Sequence, residues 1–207
     1  MTTLGDFRST PETVEMVARV VDSGRLSYGP YCREFEKRFA NMHGCEYGIF
    51  TNSGTSSLLA SLQALKEMHG WKDGAEVIVP ALTFVASVNA IYHAQLTPVL
   101  VDVCETSYNI NVNLIYNHIG PDTVAILPVH LFGLPCDIEI ITQDISYSNK
   151  LSVIEDSCEC VLSNDCNQPV GSWGDVGCFS TYTAHHLVTG VGGLCTTNDP
   201  DLALQIR

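Results

Sequence analysis

Short apolar runs alternate with helical stretches through most of this chain. The runs are Tyr47–Phe50, Ala75–Val79 ending at Pro80, Pro98–Val103, Thr123–Val129 and Leu151–Ile154. Between them, Leu58–Met68, Ser87–His93, Val112–Ile119 and, more weakly, Ile138–Asn149 carry a helical period. Such alternation predicts an α/β domain with a largely parallel sheet, because parallel strands need helical crossovers. Ligand sites in such sheets lie beyond the carboxyl ends of the strands. Two helices precede the first run. Thr10-Pro11-Glu12 is a helix start, with Val14, Val17, Ala18 and Val21 on one face and Gly24 as the stop. Ser27-Tyr28-Gly29-Pro30 is a turn into Tyr31–Met42, where Phe35 and Phe39 stand one turn apart. Asp201–Arg207 again reads as helix.

Composition narrows the function classes. The 207 residues suffice for one domain, and 45% hydrophobic against 16% charged residues marks a globular chain. A net charge of −13 argues against nucleic acid, whose binders carry a basic patch. No apolar run reaches the length of about 18 residues that a membrane span requires. Met1–Ser9 has no basic start and apolar stretch of a signal peptide, so a cytoplasmic location is expected. The nine cysteines then read as reduced thiols, and Cys158, Cys160 and Cys166 match no zinc spacing.

Several stretches carry possible chemistry. Thr51-Asn52-Ser53-Gly54-Thr55-Ser56-Ser57 lies between a strand and a helix, where free N–H groups and the positive helix end form an anion site. On its own it is equally an N-cap cluster. Phe84 follows the second run and Asp156 the fifth, and these two residue types also serve as core aromatic and helix cap. Cys178–Gly193 holds the pair His185-His186 and then Gly190, Gly192 and Gly193. A histidine pair alone is more often structural than catalytic. An imidazole titrating near pH 6.5 is nonetheless suited to moving protons.

Taken together, these motifs resemble the DegT-type sugar aminotransferases, which are fold-type-I pyridoxal 5′-phosphate (PLP) enzymes. The resemblance implies a three-layer domain with a mostly parallel sheet, as in the large domain of those transferases. It implies that Gly54, Thr55 and Ser180 hold the cofactor phosphate and that Phe84 stacks on the ring. Asp156 would pair with the ring nitrogen. Glu159, where relatives have Gln or Asp, would face the cofactor hydroxyl. His130, in His130-Leu131-Phe132-Gly133, would be structural. Counted without gaps from Ser180 to the glycines, His185 stands at the position of the family's cofactor-bonding lysine. Lys150 would lie at the wrong end of its strand to replace it.

One branch of the family has Ala-His-His there, like Ala184-His185-His186, and holds pyridoxamine 5′-phosphate (PMP) without a covalent link. Those members are 3-dehydratases of nucleotide-linked 4-keto-6-deoxy sugars. The resemblance therefore implies C3 dehydration with His185 as base, in sugar or surface-polysaccharide biosynthesis. Val191, where the family usually has Glu, departs from the pattern. A nucleotide-sugar aminotransferase homologue and a non-catalytic cofactor-binding subunit are the alternatives. Residues 1–207 would form the N-terminal part of the large domain, without the C-terminal small domain. With that half present, a homodimer is expected.

Overall fold

Strand residues alternate between two buried faces, and that alternation sets the layers. In the computed structural model, which describes residues 8–207, the strands are β1 (Tyr47–Thr51), β2 (Glu76–Pro80), β3 (Thr97–Val101), β4 (Thr123–Ile126), β5 (Ser152–Asp156), β8 (Val176–Ser180) and β9 (Gly193–Thr197). Asn164–Asp165 (β6) and Gln168–Pro169 (β7) make a separate hairpin. Val77, Val79, Ala125, Ile154 and Cys178 enter one apolar cluster. Their neighbours Ile78, Ile126 and Val153 enter a second cluster, and Phe179 enters a third. A sheet buried on both faces needs a helical layer on each.

The first layer is α3 (Gly54–His69), α4 (Val85–His93) and α8 (Pro200–Ile206), which contribute Leu58, Leu62, Ile91 and Leu202. The opposite layer is α2 (Pro30–Met42), α5 (Val112–Ile115) and the stretch from Ile138 to Asn149. The sheet runs β1-β9-β8-β5-β4-β2-β3. All neighbours are parallel except β9, which is antiparallel to both β1 and β8. The segment between β8 and β9 contains no helix to carry the chain back across the sheet, so β9 must return antiparallel. The three-layer, mostly parallel fold is the expected one.

Differences are local. The third helix starts at Gly54 rather than Leu58, capped by Ser53, whose Oγ accepts from the Ser56 N–H at 3.1 Å. Asp156 is the last residue of β5, not a residue beyond it. Val112–Ile119 splits into α5 and one 3₁₀ turn, Tyr116–His118. Ile138–Asn149 is a turn of α-helix (α6, Ile138–Ile140), a π-helical Ile141–Ser146 and a further turn (α7, Tyr147–Asn149). The first helix, α1 (Pro11–Asp22), is capped by Thr10 as expected, but none of its residues is buried. The reading of Met1–Ser9 falls outside the described residues except for Arg8 and Ser9.

Candidate active site

The carboxyl ends of β1, β2, β4, β5 and β8 open onto one cavity of about 420 Å³. Gly54, Thr55, Phe84, Asp156, Glu159, Ser180 and His185 all line it. The structure thus brings all seven of these expected site residues into one wall, from four separate stretches of chain. Cys158 and Tyr182 join them and were not anticipated.

One end of the cavity is built by backbone. Gly54 and Thr55 open α3, so their N–H groups have no intrahelical acceptor and sit at the positive end of the dipole. The close approach there requires glycine. A Cβ on Gly54 would lie 2.7 Å from Cys158 Sγ and 2.8 Å from Ser180 Cβ. One on Gly193 would lie 2.4 Å from the Ser53 carbonyl. The Ser180 Oγ reaches the same region and accepts from the Tyr182 N–H at 3.3 Å.

The other end is acidic. Asp156 is 4% exposed, and each of its oxygens has a donor. Ser87 Oγ donates to Oδ2 at 2.7 Å, and the Cys158 N–H donates to Oδ1 at 3.2 Å. Glu159 Oε2 accepts from the Phe132 N–H at 2.9 Å, which ties the β5 end to the turn after β4. Phe84 stands on the rim at 68% exposure. The Cys158 thiol is pushed well above its ordinary range, first by burial and then by Asp156, so it stays protonated.

Behind this wall, Glu155 is a fully buried carboxylate with four donors. It accepts from the N–H groups of Gly171 (2.7 Å), Trp173 (2.8 Å) and Gly174 (2.8 Å) and from His130 Nε2 (3.1 Å). His130 Nδ1 accepts from the Cys136 N–H at 3.1 Å, so its proton sits on Nε2. His130 is buried outside the cavity lining, in the structural place expected of it. The neighbouring turn had given no sign in the sequence that Glu155 organises it, because its donors are backbone groups.

His185 is half-buried, whereas His186 is exposed and outside the lining. Burial lowers the His185 pKa, the carboxylates of Glu159 and Asp156 pull it back up, and His186 lowers it further. The net direction is down, which leaves the imidazole neutral at pH 7 with a lone pair available. Among the described residues, no lysine or arginine lines the cavity. Lys150 precedes β5, at the far end of that strand from Asp156.

A profile of the DegT/DnrJ/EryC1/StrS aminotransferase family matches residues 8–207. The chain belongs to this family. It is 37% identical over 196 residues to the spore coat polysaccharide biosynthesis protein SpsC of Bacillus subtilis, a match covering 95% of this chain and 49% of that one. It is 40% identical over 181 residues to a GDP-perosamine synthase of Caulobacter vibrioides, covering 87% and 47%. Among solved structures, an Escherichia coli GDP-4-keto-6-deoxy-D-mannose-3-dehydratase with bound hydrated PLP superposes with a TM-score of 0.91 at 27% identity, covering 97% and 52%. The chain spans about half the length of the curated relatives it matches.

Proposed function

We propose that this family member uses PLP/PMP to remove the C3 hydroxyl of a nucleotide-linked 4-keto-6-deoxy sugar, with His185 as the base. The observation that carries the reading is the cavity wall itself. Among the described residues, His185 stands in it with Asp156 and no lysine does. The wall fits the cofactor by its donors and shape: free N–H groups at a glycine-tight helix start, a hydroxyl at Ser180, an exposed aromatic at Phe84 and a buried carboxylate at Asp156. When bound as PMP, the cofactor would supply an electron sink and the two electrons that loss of the C3 hydroxyl consumes.

The protein's own groups then have distinct tasks. Gly54, Thr55 and Ser180 would hold the phosphate, and Phe84 would stack on the ring. Asp156 would keep a proton on the ring nitrogen, and Glu159 would face the ring hydroxyl. The neutral His185 would accept a proton from the cofactor's C4′ carbon and give it to the departing C3 hydroxyl, which leaves as water, so the same nitrogen serves as base and then acid. Names among the relatives support a nucleotide-sugar substrate: GDP-perosamine synthase and GDP-4-keto-6-deoxy-D-mannose-3-dehydratase. The higher identity to the perosamine synthase favours a second reading, transamination of a similar keto sugar.

The same proposal takes the chain as the N-terminal part of a large PLP-binding domain, acting as a cytoplasmic homodimer. Apolar side chains stand exposed around the cavity, Phe84, Phe132 and Tyr182 among them, and a second copy would cover them. The test combines covalent trapping with turnover. Borohydride reduction with PLP and mass spectrometry should give no phosphopyridoxyl adduct, and His185→Lys should create one. His185→Asn should cost about 10²–10⁴-fold in 3-deoxygenation, with His186→Asn mild. A lysine adduct in the unaltered protein, or a lethal His186→Asn beside a harmless His185→Asn, rejects the assignment.

A further inference from the structure

The Asp156 carboxylate is held from behind by a segment that the functional reading uses only for its aromatic ring. Thr83, Phe84 and Ser87 bracket the start of α4. Phe84 faces the cavity, while Ser87 is fully buried and turned toward β5. The Ser87 N–H already donates to the Phe84 carbonyl at 3.1 Å. Its hydroxyl has two neighbours, Asp156 Oδ2 at 2.7 Å and Thr83 Oγ1 at 2.9 Å. A hydroxyl has one proton, and an ionised carboxylate only accepts. Ser87 therefore donates to Asp156, and Thr83 must donate to Ser87. The direction of the chain Thr83 to Ser87 to Asp156 is fixed, and each donor polarises the next.

We infer that Ser87, oriented by Thr83, is a positioning residue for the cofactor: it holds Asp156 ionised and turned so that its remaining lone pairs meet the ring nitrogen. This rests on the functional reading above. Two features separate it from a merely satisfied core serine. The acceptor is, among the described residues, the one buried carboxylate that lines the cavity, and the Cys158 N–H on Oδ1 completes a set of one donor per oxygen. The donor also rides on the four-residue stretch that begins at Phe84, so a shift of the ring-stacking aromatic and a shift of the carboxylate are mechanically linked. A carboxylate that accepts hydrogen bonds keeps its charge more readily than one that does not. Without the Ser87 hydroxyl, Asp156 would lose one of its two donors and be free to turn away from the ring nitrogen.

Three variants test this: Ser87→Ala, Ser87→Thr, which restores the hydroxyl, and Thr83→Val, which keeps shape and removes only the outer donor. Ser87→Ala should lower kcat about ten- to hundredfold, the loss expected for one hydrogen bond to a charged group, with KM little changed. The absorbance bands of bound PLP at neutral pH should move toward the form with an unprotonated ring. Ser87→Thr should recover both readouts, and Thr83→Val should give a smaller change in the same direction. In cofactor-free protein, the Asp156 carboxyl ¹³C resonance should shift in Ser87→Ala. A shifted resonance without cofactor-dependent absorbance in the unaltered protein would remove the functional reading and this role with it, leaving a structural hydrogen bond. Unmoved resonance, absorbance and kcat in Ser87→Ala, or in Thr83→Val should the alanine variant not fold, overturn the inference while the functional reading stands.

Discussion

Asp156 is buried at 4% exposure and lines the cavity with Glu159 and His185, and among the described residues no lysine or arginine in the wall balances the two acids. A cationic ring nitrogen would supply that balance. Asp156→Asn keeps the shape and one acceptor but removes the charge, so turnover should fall about 10²-fold or more. Cofactor affinity should fall far less, because in the proposed function Gly54, Thr55 and Ser180 would still hold the phosphate. Equilibrium dialysis alongside steady-state kinetics separates the two, and equal small losses would leave Asp156 as a cap. Asp156 was legible in the sequence through its motif and its place after an apolar run. Ser87 was not. As a hydroxyl inside a helical pattern it reads as one more polar position, and its partner is 69 residues away. Glu155 was hidden for the same reason, since three of its four partners are backbone N–H groups. Sequence patterns report side-chain types, not which amide a carboxylate will meet.

At the level of elements, the strands and helices with a clean period stand where the sequence put them, within a few residues. The errors have local causes. The first turn of α3 is Gly-Thr-Ser-Ser, which offers no apolar residue to register the period. The strand β9 is five residues long and opens on a glycine, and no pattern in the sequence marked it as a strand. The π-helical stretch shifts its own period and blurred the pattern of Ile138–Asn149. The junction of α3, β5 and β8 at Gly54 gives the sharpest prediction at this scale. In a free helix start, alanine would be tolerated. Here its Cβ would press on Cys158 Sγ and Ser180 Cβ. Overpacking of this kind costs about 1–3 kcal/mol, a fall of roughly 2–4 °C in melting temperature per kcal/mol at this chain length. Gly54→Ala should therefore lower the melting temperature and weaken PLP binding together. Adding Cys158→Ala should recover part of both, since the Ser180 contact remains. A Gly54→Ala protein that melts and binds like the parent would show that the junction has slack.

The molecule as a whole rests on α2 being clamped to the sheet, and a histidine is part of the clamp. His43, fully buried just past the end of α2, stacks on Phe39 at 4.7 Å and meets Phe179 of β8 at 4.4 Å. Its Nδ1 donates to the Val170 carbonyl at 2.9 Å, which leaves Nε2 as a buried acceptor without a partner. Burial pushes its pKa below the ordinary value, against the weaker pull of the Val170 bond and Glu155. The folded chain thus keeps His43 neutral, while the unfolded chain takes a proton near pH 6.5. Between that pH and the depressed folded value, the unfolded state binds more protons, so stability falls as pH falls. Above about pH 6.5 this contribution is fully present and flat. His43→Phe keeps an aromatic in the clamp and cannot titrate. Its melting temperature should drop less than that of the parent between pH 7.5 and 5, whatever its value at pH 7.5. Asp175, whose pKa burial raises, titrates alike in both proteins and cancels from the comparison. Two parallel melting curves across that range would mean that His43 carries no share of the acid sensitivity, and that α2 stays clamped when the ring takes up a proton.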